Sequence, residues 1–360
     1  MTSQTGRERC DERVSQVEAF RSRTLAERTR ANPVAEIPEL GVVMMDGGRY
    51  QRRDHFGQQR DSERSTHWKE DKVGLCLSMQ SEPSESDPSP EFPDWLADAD
   101  VVREIAKLGE CDESPAKRRA SGHDGATSGL DGTPLCDELT PWPDAPELLW
   151  REMIASVEAS ESFGWHLESI AFKHGVSAAP RQAFVADGAS VNWTIHRKHF
   201  SQMTGILDLM HALSYAYRAA KELDEPGTYR RFAEWIWQGH VDHVIEELRV
   251  QTLFPPPKDE DDPRKHTRRA LTYYEHQRGR MNYPDYRRQG LPITSSHIES
   301  AIKQINTRAK GTEKFWNRPT AAAVLQLRAD SLSDSKPLKQ FWTRTRANQN
   351  GANRYRKTAA

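Results

Sequence analysis

Two short apolar segments, each ending in an Asp-Gly pair, constrain the fold of this chain more than any other feature. They run from Gly41 to Asp46 and from Gln182 to Asp187. Their short length and the Gly and Pro residues near their ends predict buried strands rather than helices. Similar patterns predict a strand from Lys72 to Met79 and another from Arg49 to Arg53, after an Asp-Gly-Gly turn.

Longer segments with apolar residues at helical spacing alternate with these strands. A proline at the first turn favours a helix from Pro146 to Ala159. Gly205 to Leu223 predicts a short strand that runs into a core-facing helix. The other predicted helices cover residues 8–30, 95–108, 228–250, 263–281 and 295–309. The predicted strands lie mainly in the first part of the chain, one more strand follows a helix, and the remaining helices come late. This order indicates an α/β domain with a mixed sheet.

The chain has a formal net charge of only −2, but its charge is unevenly distributed. From Pro263 to the C-terminus, 21 Lys and Arg stand against 6 Asp and Glu. This basic third indicates either a polyanionic partner or simply a solvated surface. From Met79 to Leu139, 15 acidic residues stand against 5 basic ones. The Ser- and Pro-rich part of this region, Ser81 to Phe92, predicts loops or partial disorder, because it lacks the apolar residues that offset ordering entropy.

The cysteines and the hydropathy exclude several classes of protein. Cys10, Cys76, Cys111 and Cys136 form no Cys-x-x-Cys pair, which argues against a zinc ribbon or a disulfide scaffold and is typical of a reducing cytosol. The chain has no run of about 18 apolar residues and no signal-peptide core near its N-terminus. We therefore expect a cytoplasmic protein that does not enter a membrane.

Three acidic residues stand out as candidate metal ligands. Asp46 and Asp187 end predicted strands, where a carboxylate packs poorly but is rigidly positioned, and Glu299 lies in a helix-like segment. Carboxylate oxygens suit Mg²⁺, and two such ions can activate an attacking hydroxyl and stabilise a leaving oxygen. Alternatively, both aspartates are turn residues and Glu299 is an exposed residue paired with Lys303 at i+4.

Asp208 and His211 share one face of a predicted helix, where they form either a buried hydrogen-bonded pair or part of a site. The chain contains no Gly-x-x-x-x-Gly-Lys phosphate loop, no Gly-x-Gly-x-x-Gly motif and no Gly-x-Ser-x-Gly nucleophile elbow. These absences make a nucleotide triphosphatase, a dinucleotide-dependent oxidoreductase and a serine hydrolase less favoured.

Seven motifs, taken in order, extend the argument beyond single residues. They are VMMDGGR at 43–49, WKEDKVG at 68–74, FVADGA at 184–189, ILDLMHA at 206–212, ITSSHIESAIK at 293–303, RAKGTEKFW at 308–316 and LQLRAD at 325–330. Together they resemble the DDE transposases of bacterial ISKra-type insertion sequences, which are relatives of the Mutator-like group. The resemblance spans about residues 40 to 335, and its C-terminal motifs are the most specific.

The resemblance implies an RNase H-like fold, in which a mixed sheet is flanked by helices and a mainly helical insertion precedes the last acid. It implies that Asp46, Asp187 and Glu299 are catalytic and bind two Mg²⁺ or Mn²⁺ ions, with Asp208 and His211 in support. The implied chemistry is strand cleavage by water and strand joining by a DNA 3′-hydroxyl. Transposon ends and target DNA are the implied partners, bound by a homo-oligomer associated with the nucleoid.

The resemblance also predicts how the chain is divided. We expect an N-terminal helical segment at 1–38, a catalytic domain at 39–221 and 291–335 with an acidic, partly disordered insert at about 79–139, a helical insertion at 222–290, and a basic tail at 336–360. Basic residues that follow the last acid are expected to contact phosphates flanking the cut: Lys303, Arg308, Lys310 and Lys314.

The sequence departs from the resembled group in one respect. About 45 residues precede Asp46, whereas members of the group usually carry a long N-terminal region thought to bind transposon ends. Three hypotheses follow for the function. The chain is an active DDE transposase, an inactive truncated remnant that only binds DNA, or a metal-dependent nuclease of the same fold that cuts without joining.

Overall fold

A computed structural model describes residues 2–52 except 32, 33 and 35, and residues 68–110, 145–252, 265–309 and 314–348. The strands are β1 (Leu40–Arg52), β2 (Trp68–Gln80), β3 (Glu147–Ser156), β4 (Arg181–Ala186), β5 (Thr204–Leu207) and β6 (Phe315–Trp316). The α-helices are α1 (Thr2–Arg21), α2 (Leu25–Ala31), α3 (Ala99–Glu110), α4 (Ser160–Lys173), α5 (Ser190–His199), α6 (Leu209–Leu223), α7 (Thr228–Trp237), α8 (Val241–Gln251), α9 (Lys265–Gln277), α10 (Tyr283–Arg288), α11 (Ser296–Ala309), α12 (Arg318–Leu332) and α13 (Pro337–Asn348).

The strands form one open, mixed sheet in the order β3-β2-β1-β4-β5. β3, β2 and β1 are antiparallel neighbours, whereas β4 and β5 run parallel to β1. The short strand β6 lies beside the end of β1, with Phe315 opposite Gln51. Helices flank this sheet, so the predicted α/β class with a mixed sheet is confirmed.

Strand β1 is longer than the sequence pattern predicts. Its first part, Leu40–Met45, is buried between β2 and β4. β1 then continues through Asp46 to Arg52 in register with β2, so the predicted Asp-Gly-Gly turn and separate strand at 49–53 are wrong. The backbone groups of 47–51 find partners along β2, and this pairing outweighs the local preference of Asp-Gly for a turn.

The predicted helix at 146–159 is also wrong, because Glu147–Ser156 form the edge strand β3. One edge of β3 pairs with β2. On the other edge, the amide of Met153 donates to the hydroxyl of Ser333 at 2.9 Å, just beyond the end of α12. These long-range contacts satisfy the backbone of β3 and override the helix propensity of its Glu, Leu and Met residues.

Most other elements follow the sequence pattern, although their boundaries differ. The strand patterns of β2, β4 and β5 and the helix pattern of α6 are confirmed. The helix predicted at 8–30 is divided into α1 and α2, and the one at 228–250 into α7 and α8. The second division occurs beside Gly239, whose φ of 76° is left-handed and ends α7. The sequence pattern did not predict five further helices, which are α4, α5, α10, α12 and α13.

Helix α1 packs into the body of the fold against α12 and α4. A Cβ atom at Gly6 would lie 2.6 Å from the carbonyl oxygen of Ala323, so only glycine permits the two helices to approach this closely. Farther along α1, Val17 and Phe20 are buried, and the Phe20 ring lies 5.5 Å from the ring of Phe172 in an edge-on contact. The first helix therefore contributes to the core.

Helices α3 and α6 to α10 pack on one another beside the sheet. Residues 81–93 contain no helix or strand, as predicted, but they are held against this group. The indole nitrogen of Trp237 donates to the carbonyl of Ser89 at 2.9 Å, and the buried guanidinium of Arg287 forms an ion pair with Asp87. Residues 111–144 of the acidic region lie outside the described residues. Within the described part of the chain, no helix combines the length and the apolar composition needed to cross a membrane.

Candidate metal centre

The sheet brings Asp46 and Asp187 together at one edge. β1 and β4 pair in parallel as far as Met45 and Ala186, and the two aspartates are the next residues on these adjacent strands. The Oδ1 atom of Asp46 accepts a hydrogen bond from the amide of Gly47 at 2.6 Å. The two acids, which are far apart in sequence, thus lie on neighbouring strands as the strand pattern predicts.

Asp187 also organises the turn that leads from β4 into α5. Its Oδ1 atom accepts hydrogen bonds from the amide of Ala189 at 2.9 Å and from the side-chain nitrogen of Asn192 at 2.6 Å. Asn192 is buried in the first turn of α5. These bonds fix the orientation of the Asp187 carboxylate, so Asp187 has the turn role that Asp-Gly favours. That it also binds a metal ion stays a prediction.

Asp208 and His211 form a buried, tightly hydrogen-bonded pair at the next position along the sheet. Asp208 follows β5 and is the N-cap of α6, where its Oδ2 accepts from the amide of His211 at 3.2 Å and from the ring Nδ1 at 2.6 Å. Its Oδ1 accepts from the amide of Ser295 at 3.0 Å, just before α11. Asp208 is fully buried and therefore ties β5, α6 and the start of α11 together.

Glu299 lies in the first turn of α11 and completes the group. Single ligand atoms of Asp208, His211 and Glu299 all lie within 4.8 Å of one another, a spacing that one metal ion can bridge. Because Ser295 is held by Asp208, the start of α11 is anchored at the distance at which Glu299 reaches this pair. Asp46 and Asp187, which were expected to bind the metal together with Glu299, do not belong to this group of ligand atoms. Each interacts electrostatically with His211, so both lie near the group.

The charges of this centre act on one another. Burial and the negative charge of Asp187, with a smaller contribution from Glu299, raise the pKa of Asp46 from 3.8 to about 8. His211 opposes this shift. For His211 itself, burial lowers the pKa, but the hydrogen bond and charge of Asp208, aided by Asp187 and Glu299, raise it well above 6.5. The centre thus carries excess negative charge, which a bound cation would relieve.

The residue types fit a hard divalent cation. Asp46, Asp187 and Glu299 offer carboxylate oxygens, the ligands that Mg²⁺ and Mn²⁺ prefer. Both oxygens of Asp208 already accept hydrogen bonds, so its chief contribution is to orient the His211 ring. Because Nδ1 faces Asp208, Nε2 is the ring nitrogen that can meet an ion or a phosphate oxygen.

The basic residues expected to contact DNA lie along and after α11. Lys303 is one turn beyond Glu299 and is partly buried, and Arg308 is exposed near the end of the helix. Lys314 donates from Nζ to the carbonyl of Thr307 at 3.0 Å, which folds it back onto the helix end. Lys310 lies outside the described residues. A contact between these side chains and DNA remains a prediction.

Sequence reasoning missed the part of the centre that α9 supplies. Tyr273 packs so closely on Gly188 that a Cβ atom at Gly188 would lie 2.1 Å from its ring. Gln277 donates from its side chain to the carbonyl of Gly188 at 3.2 Å. Helix α9 therefore covers the turn that follows Asp187. In the sequence, only the glycine after Asp187 pointed to such a close contact, and a glycine at that position is equally typical of a turn.

The chain was compared with known proteins at three levels, and protein-family models, curated proteins and solved structures gave no match.

Proposed function

We propose that this chain is the catalytic domain of a DDE-type DNA transposase. In this proposal Asp46, Asp187 and Glu299 hold two Mg²⁺ or Mn²⁺ ions, and the protein cleaves and joins DNA strands. The observation that carries the proposal is the convergence of acids from distant parts of the chain on the Asp208–His211 pair. That the substrate is DNA is inferred from the sequence motifs and their resemblance to DDE transposases, because the geometry of the site alone does not specify a substrate.

The sheet supports the RNase H-like fold that the motifs imply. Three antiparallel strands, β3, β2 and β1, are followed by two parallel ones, β4 and β5. The acids occupy β1, the end of β4 and a later helix, α11, which packs on β1 and β2. A mixed sheet with an acid on its central strand and another on the adjacent parallel strand is the arrangement that the proposal requires.

The electrostatics support a metal-dependent reaction over a metal-free one. Burial, and after it the negative charge of Asp187, raise the pKa of Asp46. Without a bound cation, buried carboxylates that lie near one another lower the stability of the folded protein. Bound divalent ions would replace the repulsion between the carboxylates with attraction to the ions. Two ions held by these acids would activate the attacking oxygen and stabilise the leaving oxygen of a phosphodiester.

The chain's own residues would then position the reacting strand. Water attacks the phosphorus as a P–O bond forms, the bond to the 3′-oxygen breaks, and a 3′-hydroxyl is released. In the joining step that 3′-hydroxyl attacks a phosphodiester of the target, so the number of phosphodiester bonds is conserved. His211, oriented by Asp208, would meet phosphate oxygens through Nε2, and Lys303 and Arg308 on α11 would contact flanking phosphates.

A plasmid-nicking assay with Mg²⁺ or Mn²⁺ tests the proposal. Asp46→Asn, Asp187→Asn and Glu299→Gln keep the shape of each side chain but remove its charge, and each should lower nicking at least about a thousandfold. Asp208→Asn should lower it about 10- to 100-fold, because the ring of His211 loses its orienting acceptor. The matched control is Asp94→Asn, an exposed acid at another surface, which should leave nicking unchanged.

The same assay separates the three hypotheses. A labelled DNA with a free 3′-hydroxyl end is supplied together with the plasmid. Transfer of the label to the plasmid supports a transposase, whereas nicking without transfer supports a nuclease. Binding of DNA in Ca²⁺ with neither nicking nor transfer in Mg²⁺ or Mn²⁺ identifies an inactive remnant. Nicking that survives in all three carboxylate variants contradicts the site assignment.

A further inference from the structure

Helices α6 and α9 line an open pocket beside the candidate metal centre. Its volume of about 480 Å³ falls in the range of pockets that hold a nucleotide-sized ligand. Gly188 and Tyr273 are among its lining residues, and Gly188 directly follows Asp187 in the chain. The pocket and the acidic centre are therefore adjacent, although they differ in character.

The pocket is basic, in contrast to the centre next to it. Its lining includes six residues that carry or can carry positive charge: Arg218, Lys265, His266, Arg268, Arg269 and His276. Among the residues that the structure describes, none that lines the pocket is acidic. Arg268 and Arg269 are exposed on α9. In a chain with a net charge of −2, such a local concentration of cations favours a polyanionic ligand.

Tyr273 adds a second, independent observation. Its hydroxyl oxygen is buried, and within the described part of the chain it has no hydrogen-bond partner. The ring is fixed by stacking on Tyr215, with centroids 3.8 Å apart, and by its contact with Gly188. Burial and the nearby charge of Asp187 raise the pKa of Tyr273, so the hydroxyl stays a proton donor. A buried donor without an acceptor costs stability unless a ligand supplies the acceptor.

We infer that this pocket binds a backbone phosphate of the DNA strand that enters the metal centre, with Arg268 and Arg269 facing the phosphate and Tyr273 donating a hydrogen bond to it. The inference rests on the proposed function only in identifying the polyanion as DNA. Phosphate contacts fix the position of a strand without reading its sequence. The pocket therefore sets which phosphodiester lies at the acids, and α9 belongs to the substrate-binding surface.

Fluorescence anisotropy with a short labelled duplex of random sequence tests this inference. The duplex is titrated in Ca²⁺, so that binding is measured without depending on cleavage. The double variant Arg268→Gln/Arg269→Gln should weaken binding about 30-fold at 150 mM salt and lower the slope of log affinity against log salt by about two units. The control variant Arg197→Gln/Lys198→Gln removes the same charge from the exposed far end of α5 and should bind like the wild type.

Tyr273→Phe separates a phosphate contact from a packing role. The ring that covers Gly188 is kept and only the hydroxyl is lost, so thermal stability should be unchanged or slightly higher while DNA binding weakens about tenfold. Equal binding by the arginine double variant, its control and the wild type overturns the inference, even if the wild type nicks DNA. Weaker binding by the double variant alone supports the pocket, even if nicking fails and the proposed function is wrong.

Discussion

Two clusters of buried charge in this molecule are built in opposite ways. Where α1 meets α12, Asp330 is paired with arginine: Arg9 Nε lies 2.8 Å from its Oδ2, and Arg13 Nη2 lies 3.6 Å from its Oδ1. All three side chains are at least 94% buried. In the candidate metal centre, by contrast, Asp46 and Asp187 directly follow paired residues of β1 and β4, and the charge of Asp187 acts on Asp46.

The pKa shifts record this difference. In the first cluster burial opposes the charge of Arg9, but the hydrogen bond and the charge of Asp330 outweigh it and raise the pKa of Arg9. For the more distant Arg13, burial outweighs the charge of Asp330 and lowers the pKa. In the second, burial and the charge of Asp187 both raise the pKa of Asp46, so the charged form is disfavoured. A compensated cluster holds two helices together, whereas an uncompensated one stores repulsion that a cation can relieve. The contrast favours a structural role for the first cluster and agrees with the metal-binding role that we propose for the second.

The largest effect is expected from breaking the compensated cluster. Asp330→Ala would leave Arg9 and Arg13 buried without their acid, and it should lower the free energy of unfolding by about 3–5 kcal/mol. Urea denaturation followed by circular dichroism measures this loss. The control is Asp94→Ala, which removes an exposed acid paired with Arg230 and should leave the unfolding midpoint unchanged. Equal midpoints for the two variants would show that the buried pairs contribute no more than a surface pair.

A smaller, pH-dependent effect is expected beside the same cluster. Burial, together with the charge of Arg13, lowers the pKa of His166 to about 3. The unfolded chain then binds a proton that the folded protein does not, so stability is full above about pH 6.5 and falls as the pH drops toward 3. Between pH 7 and pH 5 this contribution amounts to about 2 kcal/mol. His166→Gln should show a shallower loss of stability over that interval, and parallel curves for variant and wild type would contradict the assignment.

The sequence could predict the strands whose pattern is local. β4, β5 and the second half of β2 are short apolar segments buried in the sheet, and the end of β4 also places Asp187 after a strand. Asp208 was expected on a helix face, whereas it caps the N-terminus of α6. β3 was mistaken for a helix because its edge is satisfied by Ser333, far away in the chain, and no local pattern reports such a contact. The full length of β1 was missed for the same reason, since its second half depends on β2.

The residues of the candidate site likewise fall into those that a local sequence pattern indicates and those that depend on contacts between distant parts of the chain. The sequence could single out Asp46, Asp187 and Glu299 as candidates because each acid lies in a motif. Their role as metal ligands stays a prediction. That ligand atoms of Asp208 and His211 lie within 4.8 Å of one of Glu299 was not predictable, because it depends on the hydrogen bond from Ser295 to Asp208. The position of Tyr273 was likewise hidden, because it follows from the packing of α9 on the turn after Asp187.

The smallest effect is expected in the candidate metal centre, where Asp46→Asn neutralises one acid of the uncompensated cluster. The folded-state pKa of Asp46 is raised from 3.8 to about 8, so the stability linked to its proton is present below about pH 3.8 and is lost as the pH rises through 8. Asp46→Asn removes that loss. In EDTA, where no divalent ion is bound, the variant should therefore have a higher free energy of unfolding than the wild type, and the difference between the two should widen by about 1 kcal/mol from pH 7 to pH 8. Adding Mg²⁺ or Mn²⁺ should stabilise the wild type more than the variant and so narrow or reverse the gap, because only the wild type keeps every carboxylate that holds the ions. Asp330→Ala, by contrast, should be destabilised with or without the ions. A wild type more stable than Asp46→Asn in EDTA would show that the acids are compensated within the protein, and the distinction between the two clusters would then fail.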